Sequence, residues 1–258
     1  VAGNLIADVV YTIDVYPQKG NLTRMRNPVV HTGGINNLII DLARLDSKIP
    51  IKVSGVVGDD ENGQFIVDSL REYPNINIEG IVKKGRTAVT FAMTEKESKQ
   101  RTFFFDPGTS LEFNEKQIDF KKIKADIFHL EYLLLLGTLD QPDEDYGTKA
   151  AKVLATAQKY EMETSVDMVS EEGNRYQKVV WPALKYTDYC VVNEVEGTGV
   201  TGIQLYDKDG IKEENMRKGL EKLKELGVKK WAIIHSPACG YGLNCQTGEF
   251  VKVPSFKL

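Results

Sequence analysis

Short apolar runs alternate with helical periodicities along most of the chain. Residues 1–13 read as an opening strand, and Ile39, Leu42 and Ala43 recur at helical spacing within a predicted helix over 35–45. A buried strand over 51–57 and a helix over 61–73 follow. The rhythm returns with strands over 125–132, 164–169, 188–193 and 231–235, and helices over 146–160 and 215–226. Repeated strand–helix–strand units require parallel strands joined by right-handed crossovers, so the sheet is covered by helices on its faces. The pattern predicts an α/β fold built on a parallel sheet.

Two stretches break this rhythm. Residues 87–94 and 100–105 are β-rich and flank a polar turn, which predicts a hairpin. Residues 9–15 and 25–31 suit a second antiparallel pair across the turn Pro17-Gln18-Lys19-Gly20-Asn21. A small antiparallel sheet of this kind, with strands over 9–31 and 86–105, predicts a lid; edge strands of the main sheet are the alternative. Phe103-Phe104-Phe105 would offer it apolar surface for a homodimer through the lid.

With 258 residues, 41% hydrophobic and 27% charged, the chain can bury a sizeable core as a single domain. Its 33 Lys+Arg against 37 Asp+Glu leave no basic footprint, which argues against nucleic-acid and anionic-membrane partners. Cys190, Cys239 and Cys245 are odd in number and lack CxxC spacing, so a reducing, cytoplasmic setting is expected rather than a disulfide framework. A thiolate metal site at Cys239 and Cys245 is disfavoured, because His31, His129 and His235 are far apart in sequence. The longest apolar run, Tyr132 to Leu136, is too short to span a bilayer, and no signal peptide is visible.

Ligands of open α/β sheets collect beyond the carboxyl ends of the strands. The polar residues there are Glu131 after Phe128-His129-Leu130, Asp167 after Ser165-Val166, Asn193-Glu194-Val195-Glu196 after Val191-Val192, and His235-Ser236 after Ile233-Ile234. Any one of these carboxylates would serve as an ordinary helix cap; three on one sheet edge point to a binding site. Gly33-Gly34 removes side chains just before a helix, either as a tight turn or so that backbone can approach a ligand.

Several of these residues fall into a familiar order. Gly3-Asn4-Leu5-Ile6-Ala7-Asp8, then Asp14 and Pro17, Gly33-Gly34-Ile35-Asn36-Asn37, Leu42-Ala43-Arg44-Leu45 and Gly55-Val56-Val57-Gly58-Asp59-Asp60-Glu61-Asn62-Gly63 resemble the opening signature of the ribokinase-like (PfkB) carbohydrate kinases. Asn193-x-x-Glu196 resembles the mid-chain NxxE motif of that family, and the resemblance extends over essentially the whole chain.

The resemblance implies an ATP-dependent sugar kinase that transfers the γ-phosphoryl group to a primary hydroxyl of a fructose- or ribose-like sugar. A nucleoside kinase of the same fold, or a non-catalytic sugar- or nucleotide-binding regulator, is the alternative. By resemblance Asp8, Gly33 and Gly34 bind the sugar, with Asn36 or Asn37 as the substrate asparagine, one residue closer to the glycine pair than usual. Glu131 and Asp167 are assigned to the same pocket. Asn193 and Glu196 would organise Mg²⁺ and nucleotide phosphate, with Glu196 as the metal carboxylate and His235 and Gly240 completing the nucleotide set; the same letters would also make an ordinary capping box. The family's G-A-G-D loop, which supplies an anion hole and the general base, has no counterpart among these residues: Gly58-Asp59-Asp60 comes too early and Asp207-Lys208-Asp209-Gly210 reads as a polar turn. The base is therefore expected beyond Leu258, and both ends of the chain read as trimmed.

Overall fold

A single strand of twelve residues, β1 (Ala2–Ile13), is shared by two sets of strand pairings. In the computed structural model, which describes residues 1–208 and 210–256, the chain divides into two compact units, Val1–Phe113 and Asn114–Leu258. The polar turn expected at 207–210 includes Asp209, which lies outside the described residues, as do Lys257 and Leu258.

The first unit continues with β2 (Met25–Gly34), α1 (Ile35–Leu45), β3 (Ile51–Val57), α2 (Glu61–Arg71), β4 (Ile76–Lys83), β5 (Ala88–Glu95) and β6 (Arg101–Asp106). Ala2, Gly3 and Asn4 pair in parallel with Ser54, Gly55 and Val56 of β3, and β3 pairs in parallel with β4. From Leu5 onward the same strand pairs antiparallel with β2, and from Ile6 in parallel with β5, which forms the expected hairpin with β6. The order β2-β1-β5-β6 thus joins the two predicted antiparallel pairs through a parallel contact. Successive side chains on a strand face opposite ways, so Phe104 points away from the face that carries Phe103 and Phe105, and the three do not make one apolar patch.

Helix α1 buries Ile35, Ile39 and Ala43, spaced four apart, and these join Leu5, Val53, Ile66, Leu70 and Val89 in one apolar core. Strand β4 goes beyond the sequence reading, because Gly80 interrupts its apolar alternation.

The second unit contains β7 (Ile127–Leu133), a two-residue ribbon of β8 (Pro142–Asp143) with β9 (Gly147–Thr148), α3 (Lys149–Lys159), β10 (Glu163–Met168), α4 (Tyr176–Leu184), β11 (Tyr189–Asn193) and α5 (Glu194–Thr201). A second ribbon, β12 (Tyr206–Asp207) with β13 (Gly210–Ile211), precedes α6 (Glu213–Leu226), β14 (Trp231–His235), β15 (Cys239–Asn244) and β16 (Phe250–Pro254). Strands β7, β10, β11 and β14 are mutually parallel, and β15 and β16 extend the sheet antiparallel. The chain is therefore the expected α/β fold, with a mostly parallel sheet accompanied by smaller antiparallel pairings. Helix α4 was not legible because Pro182 and polar residues break its period. No helix among the described residues is long and apolar enough to cross a membrane.

Asp60 ties α2 to the start of β5. Its Oδ1 accepts from the Gly63 N–H at 2.8 Å and the Thr87 hydroxyl at 2.5 Å, and its Oδ2 accepts from the Thr87 N–H at 2.8 Å. Burial raises the pKa of this carboxyl, but the bonds from Thr87 and Gly63 outweigh it and hold the value below 3.8. Asp60→Ala should cost about 1–3 kcal/mol in urea denaturation at pH 7. A depressed pKa stabilises the fold above pH 3.8, so the deficit should shrink as pH falls through the lower folded value.

Candidate active site

In the first unit, Asp8 stands in a row across three strands. It lies opposite His31 of β2 and Thr90 of β5, so the three side chains share one face of the sheet. Desolvation raises the Asp8 pKa, and the Thr90 hydroxyl and the nearby His31 oppose that shift. Gly33 is required beneath it: a Cβ there would lie 2.4 Å from Asp8 Oδ2 and 2.5 Å from its Oδ1. The next residue, Gly34, has φ +62°, and a Cβ would lie 2.0 Å from the Asn4 carbonyl oxygen. Gly34 is also the N-cap of α1 and supplies no side-chain cap, so the first-turn N–H groups of this helix are not satisfied by a capping side chain.

The two asparagines of this turn separate clearly. Asn36 is fully buried; its Nδ2 donates to the Gly33 carbonyl at 2.6 Å, and its Oδ1 has no partner among the described residues. Asn37 is exposed.

In the second unit, Asn193 and Glu196 form a reciprocal capping box at the start of α5. Asn193 Oδ1 accepts from the N–H groups of Val195 and Glu196 at 2.8 and 2.9 Å, and Glu196 Oε2 accepts from the Asn193 N–H at 2.8 Å. Glu196 Oε1 accepts from Asn193 Nδ2 at 2.7 Å and the Ser170 hydroxyl at 2.8 Å. The capping reading of the letters is thus realised, without excluding further contacts: a carboxylate has about four lone-pair sites, and three are occupied here. Burial raises the Glu196 pKa against the bonds from Asn193 and Ser170 and the attraction of His235. His235 pairs with Asn193 on one side and Gly240 on the other, which brings these three residues into one cross-strand row. No cluster of three or more His, Cys, Asp or Glu side chains able to hold a metal occurs among the described residues. A single carboxylate with one open lone pair fits Mg²⁺, which retains most of its water and is held largely by phosphate oxygens.

Glu131 and Asp167 come from neighbouring parallel strands. Ser165 is opposite His129, and the register slips between Val166 and Met168, so Asp167 sits in an irregularity of β10. Burial first, then repulsion by Glu131 and Glu196, pushes the Asp167 pKa up to about 8, although the Met168 N–H donates to its Oδ1 at 2.7 Å. Glu131 is 3% exposed, with one oxygen 2.7 Å from His129 Nε2 and the other without a partner among the described residues. The structure brings Asp167 within electrostatic reach of both Glu131 and Glu196.

Three contributors were not singled out from sequence: Thr90, Ser170 and the His129–Ser165 pair, whose ring Nδ1 and hydroxyl lie 2.9 Å apart. A signal did exist. His129-x-Glu131 and Ser165-x-Asp167 place polar residues at alternate positions of otherwise apolar strands, a pattern that gives one polar face. A cavity of about 390 Å³ is lined by Val9, Asp60, Glu61, Asn62, Arg86, Val89 and Phe91. It contains none of the candidate residues, its β1 and β5 walls face away from Asp8, and Asp60 and Arg86 are already engaged with Thr87 and Asp106.

Comparison with known proteins bears on the family and the fold. The family model for pfkB family carbohydrate kinases matches residues 3–257. Structures of similar fold include a ribokinase from Thermotoga maritima, with 20% identity, TM-score 0.71 and coverage of 100% of this chain and 77% of that one. They also include an Arabidopsis thaliana ribokinase complexed with ribose and ATP, with 16% identity, TM-score 0.71 and coverage of 98% and 76%. A fructokinase with bound ATP from Xylella fastidiosa has 18% identity, TM-score 0.68 and coverage of 98% and 77%. No curated protein matches the chain by sequence. With the family signature matched from Gly3 almost to the last residue, the chain belongs to the pfkB family of carbohydrate kinases.

Proposed function

We propose that this carbohydrate kinase transfers the γ-phosphoryl group of ATP to a primary hydroxyl of a small, fructose- or ribose-like sugar, with both units serving one ribokinase-like domain. The observation that carries the reading is the Asp8 carboxylate lying over the side-chain-free Gly33. A carboxylate accepts from two hydroxyls at once, and the absent Cβ leaves room for the Asp8 carboxylate itself to lie against the backbone at Gly33. The first-turn N–H groups of α1 supply donors to substrate oxygens. Asn36 is the better substrate asparagine, because its amide is fixed by Gly33 while its buried oxygen is still open.

In the second unit the reading gives Asn193, Glu196, His235 and Gly240 to the nucleotide. Glu196, oriented by Asn193 and Ser170, would hold hydrated Mg²⁺ by accepting a hydrogen bond at its open lone pair. Bound Mg²⁺ would supply charge neutralisation on the phosphates. Glu131 and Asp167 are retained as substrate-facing carboxyls, and Asp167, protonated below pH 8, would donate rather than accept. The strands β2, β1, β5 and β6 would act as a lid that keeps water from competing for the phosphoryl group. The general base is assigned to none of these 258 residues, since no Gly-x-Gly-Asp sequence occurs among them.

Asp8→Ala in the full-length enzyme should lower kcat/KM for the sugar at least about 100-fold, because two hydroxyls lose an ionised acceptor, while circular dichroism stays unchanged. The assay would be run over a panel of sugars and nucleosides with ATP and Mg²⁺; an unchanged kcat/KM would remove Asp8 from the site, and preferred turnover of a nucleoside would reassign the acceptor.

The Asp167 carboxyl gives a pH-dependent test. Its folded pKa is about 8 against an ordinary 3.8, so between these values the folded chain holds a proton that the unfolded chain releases. Stability from this group is therefore fully present below about pH 4 and is lost as pH rises through 8. Relative to the parent, Asp167→Asn should gain unfolding free energy by about 1 kcal/mol per pH unit between pH 5 and pH 8 and level off above that. A difference that is flat with pH would contradict the assignment.

A further inference from the structure

In the second unit His129 and Ser165, which the kinase reading has not used, stand behind one of its carboxylates, Glu131. Three side chains form a line within its sheet: the Ser165 hydroxyl lies 2.9 Å from His129 Nδ1, and His129 Nε2 lies 2.7 Å from Glu131 Oε2. A carboxylate oxygen accepts, so the proton of the second contact sits on Nε2. In a neutral ring Nδ1 is then the acceptor, and the Ser165 hydroxyl donates to it. The line has a direction: Ser165 fixes the ring tautomer, and the ring fixes the carboxylate.

Its end is open. Glu131 Oε1 is buried and finds no partner among the described residues, although Glu131 as a whole is only 3% exposed. An unpaired carboxylate oxygen in that setting loses its hydration without compensation, so it marks a place where a donor belongs. His129 is itself largely enclosed, with 13% of its side chain exposed, which restrains the ring from turning away. The carboxyl that feels the charge of Glu131 is Asp167, and the imidazole of His129 is committed to Ser165 and Glu131.

We propose that His129, held by Ser165, is a positioning residue that presents Glu131 Oε1 as the acceptor for one uncharged hydroxyl of the acceptor substrate, and that this corner selects neutral polyols over sugar acids. A hydroxyl donates to Oε1 and can still accept a bond itself, whereas a carboxylate substrate would meet like charge at the same point. The inference rests on the carbohydrate-kinase reading and on Glu131 facing substrate. It adds the chain of control through His129 and the exclusion of acidic sugars.

The test is steady-state kinetics of the full-length enzyme with its best neutral sugar and with the corresponding sugar acid. His129→Ala should raise KM for the neutral sugar about 10- to 100-fold with kcat within about 3-fold, the size expected for disordering one bond to a charged acceptor. His129→Gln, which keeps a donor near the Nε2 position, should return KM to within about 5-fold of the parent. Because His129 acts through Glu131, the pair His129→Ala/Glu131→Gln should be no worse than Glu131→Gln alone. Parent KM values in His129→Ala, fully additive losses in the pair, or efficient turnover of the sugar acid would each overturn the inference. If His129→Ala misfolds, the comparison of His129→Gln with Ser165→Ala decides: Ser165→Ala should raise KM more than His129→Gln does, and equal parent-like values would overturn it. A parent enzyme that phosphorylates no sugar at all would instead defeat the kinase reading on which the inference rests.

Discussion

Everything proposed for the first unit depends on one close approach, that of the Asp8 carboxylate to the backbone at Gly33. Any side chain at residue 33 would occupy the position of the carboxylate oxygens, and any at residue 34 would strike the Asn4 carbonyl. The approach exists because β1 and β2 pair in register, with Ile6 opposite Gly33 and Asp8 opposite His31, immediately before β2 runs into α1. One strand therefore sets the carboxylate, its floor and the start of the helix together. Its first residues are held by β3 and its remainder by β2 and β5, so the position of Asp8 is fixed from both sides.

The second unit solves a different problem, that of keeping carboxyl groups close together inside a sheet. Each is handled by its own means. Glu196 spreads its charge over bonds from Asn193 and Ser170, Glu131 leans on a histidine, and Asp167 holds a proton up to about pH 8. Three ionised groups without these partners would repel one another strongly in a poorly solvated setting. Carboxyl groups with shifted pKa values gathered at strand ends are more often placed for chemistry than for stability, which is why they enter the proposed site.

Much of this was legible in the chain because period and position carry it. The parallel strands and the helices expected over 35–45, 61–73 and 215–226, found at 35–45, 61–71 and 213–226, followed from apolar spacing, and strand-end logic pointed to Glu131, Asp167, Asn193 and Glu196. What was not legible involves contacts that no local pattern encodes. The parallel pairing of β1 with β5 joins residues some eighty positions apart, and α4 was hidden by its internal Pro182. The letters of Asn36 and Asn37 are identical, and only burial separates one from the other. No local pattern marks His129 as the residue whose two ring nitrogens join Ser165 and Glu131.

The central claim is that the absence of a side chain at Gly33 lets the Asp8 carboxylate meet the sugar, and calorimetric titration of a neutral sugar into the full-length Gly33→Ala enzyme tests it with Asp8 left intact. The added methyl would overlap the carboxylate at 2.4 Å, so the account predicts that sugar affinity falls at least about 30-fold while the thermal transition remains cooperative. An unchanged Kd in a folded Gly33→Ala enzyme would contradict it.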